Sequence, residues 1–75
     1  MLKEKYMFDE AYAFLEKHYN DSDFGSADEE GTITYEYVEL SQKYRGSNLW
    51  QSLILDVLDH LERKMKWERS RNETK

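Results

Sequence analysis

The third apolar block of the chain, residues 49–67, sets the tightest constraint on what can form here. At 100° per residue, Trp50, Leu53, Ile54, Leu55, Val57, Leu58, Leu61 and Met65 spread over about 200° of a helix surface. A helix resting on a single neighbour needs an apolar stripe of only about half that width. This helix must therefore be covered on two sides, by both remaining elements of the chain or by a second subunit as well. The expected fold class is all-α, a small three-helix domain over residues 1–69, with a polar tail at 70–75 expected to fray. A homodimer is expected, two copies pairing through Trp50, Ile54, Leu55, Leu58 and Met65 of this helix, because two short neighbours would struggle to cover the whole arc.

Length sharpens the question. Seventy-five residues make one domain, and a core of this size rarely supplies more than about 3–5 kcal/mol. No cysteine is present, which removes disulfides and thiolate metal sites and fits a reducing compartment. The means left are well-packed helices or oligomerisation. Two Trp, six Tyr and three Phe suit either, because each ring buries a large area with few rotatable bonds. With no proline, helix interiors stay unbroken.

Ahead of the third block, Phe8, Ala11, Tyr12, Leu15 and Tyr19 repeat at the period of one helix face. A helix is expected from about Lys3 to Tyr19, ending at Asn20-Asp21-Ser22, with Met7, Phe14 and His18 as a flanking stripe. Asn20 to Gly31 reads as an ordered or semi-ordered acidic loop. Thr32 to Tyr44 is ambiguous. Its first seven residues have strand propensity and alternate Ile33, Tyr35 and Tyr37, yet Ile33, Tyr37, Leu40 and Tyr44 also share a helix face. A lone strand cannot satisfy its own backbone groups, so helix is preferred. The alternative is an α+β arrangement in which 32–38 forms a strand paired across a dimer. Gly46 can end this helix in a left-handed conformation, and Asn48 can cap the next with Gln51 in the capping-box position.

Charge is unevenly spread. Residues 9–40 carry ten acidic side chains against Lys17, a local charge of −9, whereas residues 63–75 carry six basic against Glu68 and Glu73, a local charge of +4. The basic end fits a helix C-terminus, where cations are favoured. DNA readout is disfavoured, because the third helix is long and apolar and exposes Asp56, Asp59 and Glu62. The acidic segment has a sharper use. Asp21, Asp23, Asp28, Glu29 and Glu30 form a rim, and Phe24, Tyr35 and Tyr37 lie among them as aromatic anchors. Such a mix suits a hot spot for a basic protein partner.

Motifs for chemistry fail on spacing. Counted from Asp21 or from Asn20, the loop lacks the glycine and glutamate positions of a calcium-binding EF-hand. His18 and His60 are expected at the surface or its boundary, with too few neighbouring ligands for zinc. No serine sits in a nucleophile elbow and no glycine-rich phosphate loop occurs. No catalytic, metal or cofactor-binding residue is therefore assigned. The short patterns Tyr37-Val38-Glu39-Leu40 and Asn72-Glu73-Thr74 are of a kind that arises by chance. No apolar stretch approaches a membrane span or a signal peptide, so a soluble cytoplasmic protein is expected. The function expected is binding without catalysis, a small regulatory or inhibitory protein for a basic partner. The alternative is a structural homo-oligomer, and a nucleic-acid accessory protein using the basic end comes third.

Overall fold

A computed structural model describes residues 2–73, with side-chain surroundings described for residues 2–68. Three helices form, α1 (Glu4–His18), α2 (Ile33–Lys43) and α3 (Asn48–Glu73), and no strand occurs among the described residues. The ambiguous second segment is thus helical, and the strand alternative at 32–38 falls away. Its helical start has a local cause. Thr32 takes an extended backbone and its hydroxyl accepts a hydrogen bond from the Tyr35 amide, the N-cap arrangement that outweighs β-propensity in the residues beyond.

Cross-helix contacts fix the order of packing. The Ser47 hydroxyl meets Met7 near the start of α1, and Lys43 pairs with Glu10 one turn on. At the other end, Lys17 and His18 both reach Glu36, and the Lys64 ammonium stands over the Tyr19 ring. Hence α2 runs antiparallel to α1, and α3 runs parallel to it. At 1.5 Å per residue the 26 residues of α3 span about 39 Å, against about 22 Å for the 15 of α1. The helix therefore projects past the end of α1 beyond Lys64. It runs to Glu73, further than the expected end near Trp67 and into the segment expected to fray; Thr74 and Lys75 lie outside the described residues.

The core comprises Ala11 and Phe14 of α1, Ile33 of α2, and Trp50, Ile54 and Leu61 of α3. Each large apolar side chain buried here contributes about 1.5–3 kcal/mol. Two expectations about how α1 and α3 are set need correction. The inner face of α1 is the Met7, Ala11, Phe14, His18 stripe, and the aromatic stripe turns outward, with Phe8 52%, Tyr12 65% and Tyr19 45% exposed. This rotation puts Glu10 and Lys17 against α2, where Lys43 and Glu36 wait. Turning the aromatic stripe inward would carry both charges away from their partners. At the α2–α3 break, Gly46 does adopt a positive φ of 86°. The cap of α3, however, is Ser47 rather than Asn48. Its hydroxyl accepts from the Trp50 amide at 3.1 Å and its carbonyl from Gln51, so Gln51 plays no capping-box part.

Candidate interaction surfaces

The acidic loop is folded back on the N-terminus of α2. Thr32 is its fastener. The single hydroxyl proton of Thr32 is shared between the carbonyls of Ser26 (2.7 Å) and Glu29 (2.8 Å), while the Thr34 amide donates to the Phe24 carbonyl. Gly25 makes this closure possible. Its φ is +75°, and a Cβ there would stand 2.5 Å from the Thr32 methyl, well inside contact.

On this frame the expected site residues divide. Asp23, Asp28, Glu29 and Glu30 are exposed, and none forms an ion pair among the described residues. Asp21 belongs elsewhere, since its carboxylate lies 2.7 Å from Nδ1 of His18. Tyr35 stays on the half-exposed surface, its hydroxyl 3.4 Å from Glu30. The Glu39 carboxylate, more than that of Glu30, holds the Tyr35 phenol above its ordinary value of 10.0 by hydrogen bonding and charge. Phe24 and Tyr37 instead pack their rings against the core, so neither is available as a free anchor. A surface groove joins Tyr35 to Glu30, Glu36 and Glu39, with Lys17 as the cation on its edge.

The charge of α3 is arranged differently. Arg63 pairs with Asp59, Lys64 with Glu68, and Lys66 with Glu62, each at i,i+4 along the helix. Lys66 holds the Glu62 carboxyl below its ordinary range. These exposed pairs are worth little energetically, but they neutralise the surface they occupy. Of the acidic residues without an ion pair among the described residues, Asp23, Asp28, Glu29 and Glu30 cluster on the loop, while Glu4, Glu16, Glu39 and Asp56 are spread over the three helices.

His18 was expected at the surface or boundary and proves to be buried, at 1% exposure. Its Nδ1 faces Asp21 and its Nε2 faces Glu36 at 3.1 Å, while its ring tilts on Phe14. An ionised carboxylate only accepts, so each of these contacts is made through a ring nitrogen that carries a hydrogen. The ring ties α1, the start of the loop and α2 together. Glu36 answers this arrangement: burial pushes its carboxyl up, but hydrogen bonds from Lys17 and His18 outweigh that and bring it below 4.5. The two carboxylates lie at opposite ends of the ring, so the three groups do not converge on a point that a metal could occupy. Sequence reasoning missed this cluster because Glu36 is 18 residues from His18. The available signal was a histidine inside an otherwise apolar stripe.

Residues expected to pair two copies are likewise split by the fold. Trp50 and Ile54 lie inside the core and have no surface to offer. Leu58 and Met65 are partly buried against the same core. Leu55 alone of the five is open, at 56% exposure. A larger apolar surface lies along α1. Tyr12, Leu15 and Tyr19 line a groove along α1, and Tyr19 also borders a second groove with His60, Arg63, Lys64 and Trp67, the last 62% exposed. No helix among the described residues is long and apolar enough to cross a membrane. No family model, no curated protein and no solved structure matches this chain.

Proposed function

We propose that the protein is a non-catalytic interaction module whose acidic loop receives a basic protein partner, as a small regulatory or inhibitory protein would. One observation carries this reading: Asp23, Asp28, Glu29 and Glu30 form no ion pairs among the described residues, on a loop held in shape by Thr32 and Gly25. Ordered, unpaired charge is what steers an oppositely charged surface, and a loop already fixed in shape loses little freedom on binding. Tyr35 supplies the aromatic contact within that rim. The perturbed side chains, Tyr35, Glu36, Lys43, Tyr44 and Glu62, owe their shifts to ion pairs and hydrogen bonds that fasten or decorate helices, which supports binding over catalysis. A cysteine-free chain suits the reducing cytoplasm, where we place it. The test is capture of partners from the native host by wild-type protein and by a variant with Asp23, Asp28, Glu29 and Glu30 changed to Asn or Gln. A basic protein retained by the first and lost by the second supports the reading; equal capture refutes it.

A second reading, self-association, is favoured by the large apolar side chains that stay more than half exposed, Leu2, Tyr6, Phe8, Tyr12 and Leu55 among them.

A further inference from the structure

The outward stripe of α1 is composed of the exposed Phe8, Tyr12 and Tyr19, with Leu15, half-buried against the core, completing it. Its spacings of four, three and four residues are the same read in either direction along the helix. Two copies laid antiparallel therefore bring Phe8 against Tyr19 of the partner, and Tyr12 against Leu15 of the partner, with both pairings repeated by the twofold axis. We infer that this face of α1 is a homodimer interface, formed by antiparallel pairing of two α1 helices. The inference rests on the self-association reading and replaces the α3 face as its seat.

Three further observations agree with a second copy as the occupant. The chain exposes 5804 Å², whereas a folded monomer of its mass, 9.1 kDa, is expected to expose about 4,900 Å². The surplus of about 900 Å² resembles the roughly 800 Å² that each partner gives to a stable interface. Antiparallel register also covers the projection. Lys64 lies over Tyr19, so Trp67 stands about 4.5 Å beyond the end of the stripe. With Phe8 of the partner at Tyr19, the partner's first turn arrives alongside Trp67, and the exposed Leu2 that precedes that turn lies just past it. Charge favours the same sense. Each chain carries a net charge of −5, and antiparallel pairing sends the two acidic loops, which follow α1, to opposite ends of the dimer, where repulsion is least. Both loops then remain free for partners.

Sedimentation equilibrium of the full chain from about 1 to about 100 μM, the range over which mass action would show for such an interface, is expected to give twice the chain mass at the upper end. Tyr12→Glu and Phe8→Glu are each expected to weaken association by about tenfold or more. Helicity should be unchanged, because both side chains already face solvent. Leu55→Glu is expected to leave association as it was. If Leu55→Glu dissociates the dimer and the α1 variants do not, this interface is refuted while self-association stands. A wild-type chain that stays monomeric refutes both, and leaves the acidic-loop reading untouched. Cysteine cross-linking reports the register, since the chain has no cysteine of its own. Positions 8 and 19 are about 16 Å apart along one helix, too far for a disulfide within a chain. The double variant Phe8→Cys, Tyr19→Cys is expected to yield a covalent dimer on mild oxidation, and neither single variant should. A covalent dimer from Phe8→Cys alone would show parallel pairing and overturn the register.

Discussion

The first helix is held from two sides by different forces. Toward α3 it offers Ala11 and Phe14 to Trp50, Ile54 and Leu61, a dry apolar seam. Toward α2 it offers Glu10, Lys17 and His18 to Lys43 and Glu36, a seam of charges in which only His18 is buried. The contrast assigns separate duties. Apolar burial is non-directional and scales with area, so the α3 seam supplies the stability. Ion pairs at half-exposed sites contribute little net energy but fix which residue meets which, so the α2 seam sets the rotation of α1 and the seat of the acidic loop.

Breaking the apolar seam is expected to have the largest effect. Trp50→Ala removes a fully buried ring and is expected to cost about 3–5 kcal/mol, the whole stability of a domain this small. Far-UV circular dichroism of the variant at 25 °C should then show an unfolded chain. Lys17→Ala and Lys43→Ala, on the charged seam, are each expected to cost under about 1 kcal/mol in urea titrations, because both side chains are largely exposed. Comparable losses on the two seams would remove the distinction.

His18 is where the charged seam enters the core. His18→Leu would fill the place of the ring with an apolar side chain and leave Asp21 and Glu36 without the group between them. We expect a loss of about 1–3 kcal/mol by urea denaturation, well above that of Lys17→Ala although both touch Glu36. A neutral outcome would mean that water serves the two carboxylates as well as the His18 ring does.

These seams also explain how far the sequence could be read. The three-helix class and two of the breaks follow from local pattern: Asn20-Asp21-Ser22 lies just past the first helix and Gly46 separates the last two, whereas the Thr32 and Ser47 caps and the run of α3 to Glu73 do not. The rotation of α1 does not follow. Its apolar residues cover two adjacent stripes, and the one with more aromatic carbon faces water because the choice was made by Glu10, Lys17 and His18, whose partners lie 33, 19 and 18 residues away. Periodicity counts apolar residues on a face and is blind to such pairings. For the same reason the exposed acidic residues of the site were legible, while the inward packing of Phe24 and Tyr37 was not: both have alternative neighbours that only the closed loop selects.

Loop closure yields the next prediction. Gly25→Ala would force a Cβ into the Thr32 side chain at a backbone angle that L-residues rarely adopt. A loss of about 1 kcal/mol or more is expected. It should be local, so hydrogen exchange at the Thr34 amide, which donates to the Phe24 carbonyl, should accelerate more than exchange at Trp50. Acid acts more gently on the neighbouring cluster. The Glu36 carboxyl lies below its ordinary 4.5 in the folded chain. Its contribution is therefore present above the unfolded value and is lost as pH falls through the folded one. Stability is expected to decline below about pH 4.5, with a shallower decline in Glu36→Gln over the same window. Identical acid limbs for both proteins would show that Glu36 is not linked to folding.

The smallest effect on folding is expected where the largest effect on binding is. Changing Asp23, Asp28, Glu29 and Glu30 to Asn or Gln touches no core residue and breaks no ion pair among the described residues. Each substitution is expected to alter stability by under about 0.5 kcal/mol, and relief of like-charge repulsion within the loop can make the sum slightly favourable. The backbone bonds through Thr32 and the glycine at 25 persist, so the loop keeps its shape while losing its field. Steering acts over a Debye length of about 8 Å at physiological salt, and it enters the association rate rather than the dissociation rate. Stopped-flow or surface binding measurements with a captured basic partner should thus show slower association and a flattened dependence on salt, with dissociation little changed. Tyr35→Ala is expected to do the reverse, speeding dissociation with the salt dependence intact. If the four-fold neutral loop instead unfolds the domain, its carboxylates serve the fold after all, and the separation between the stabilising seam and the charged surface fails at the place where it was expected to be cleanest.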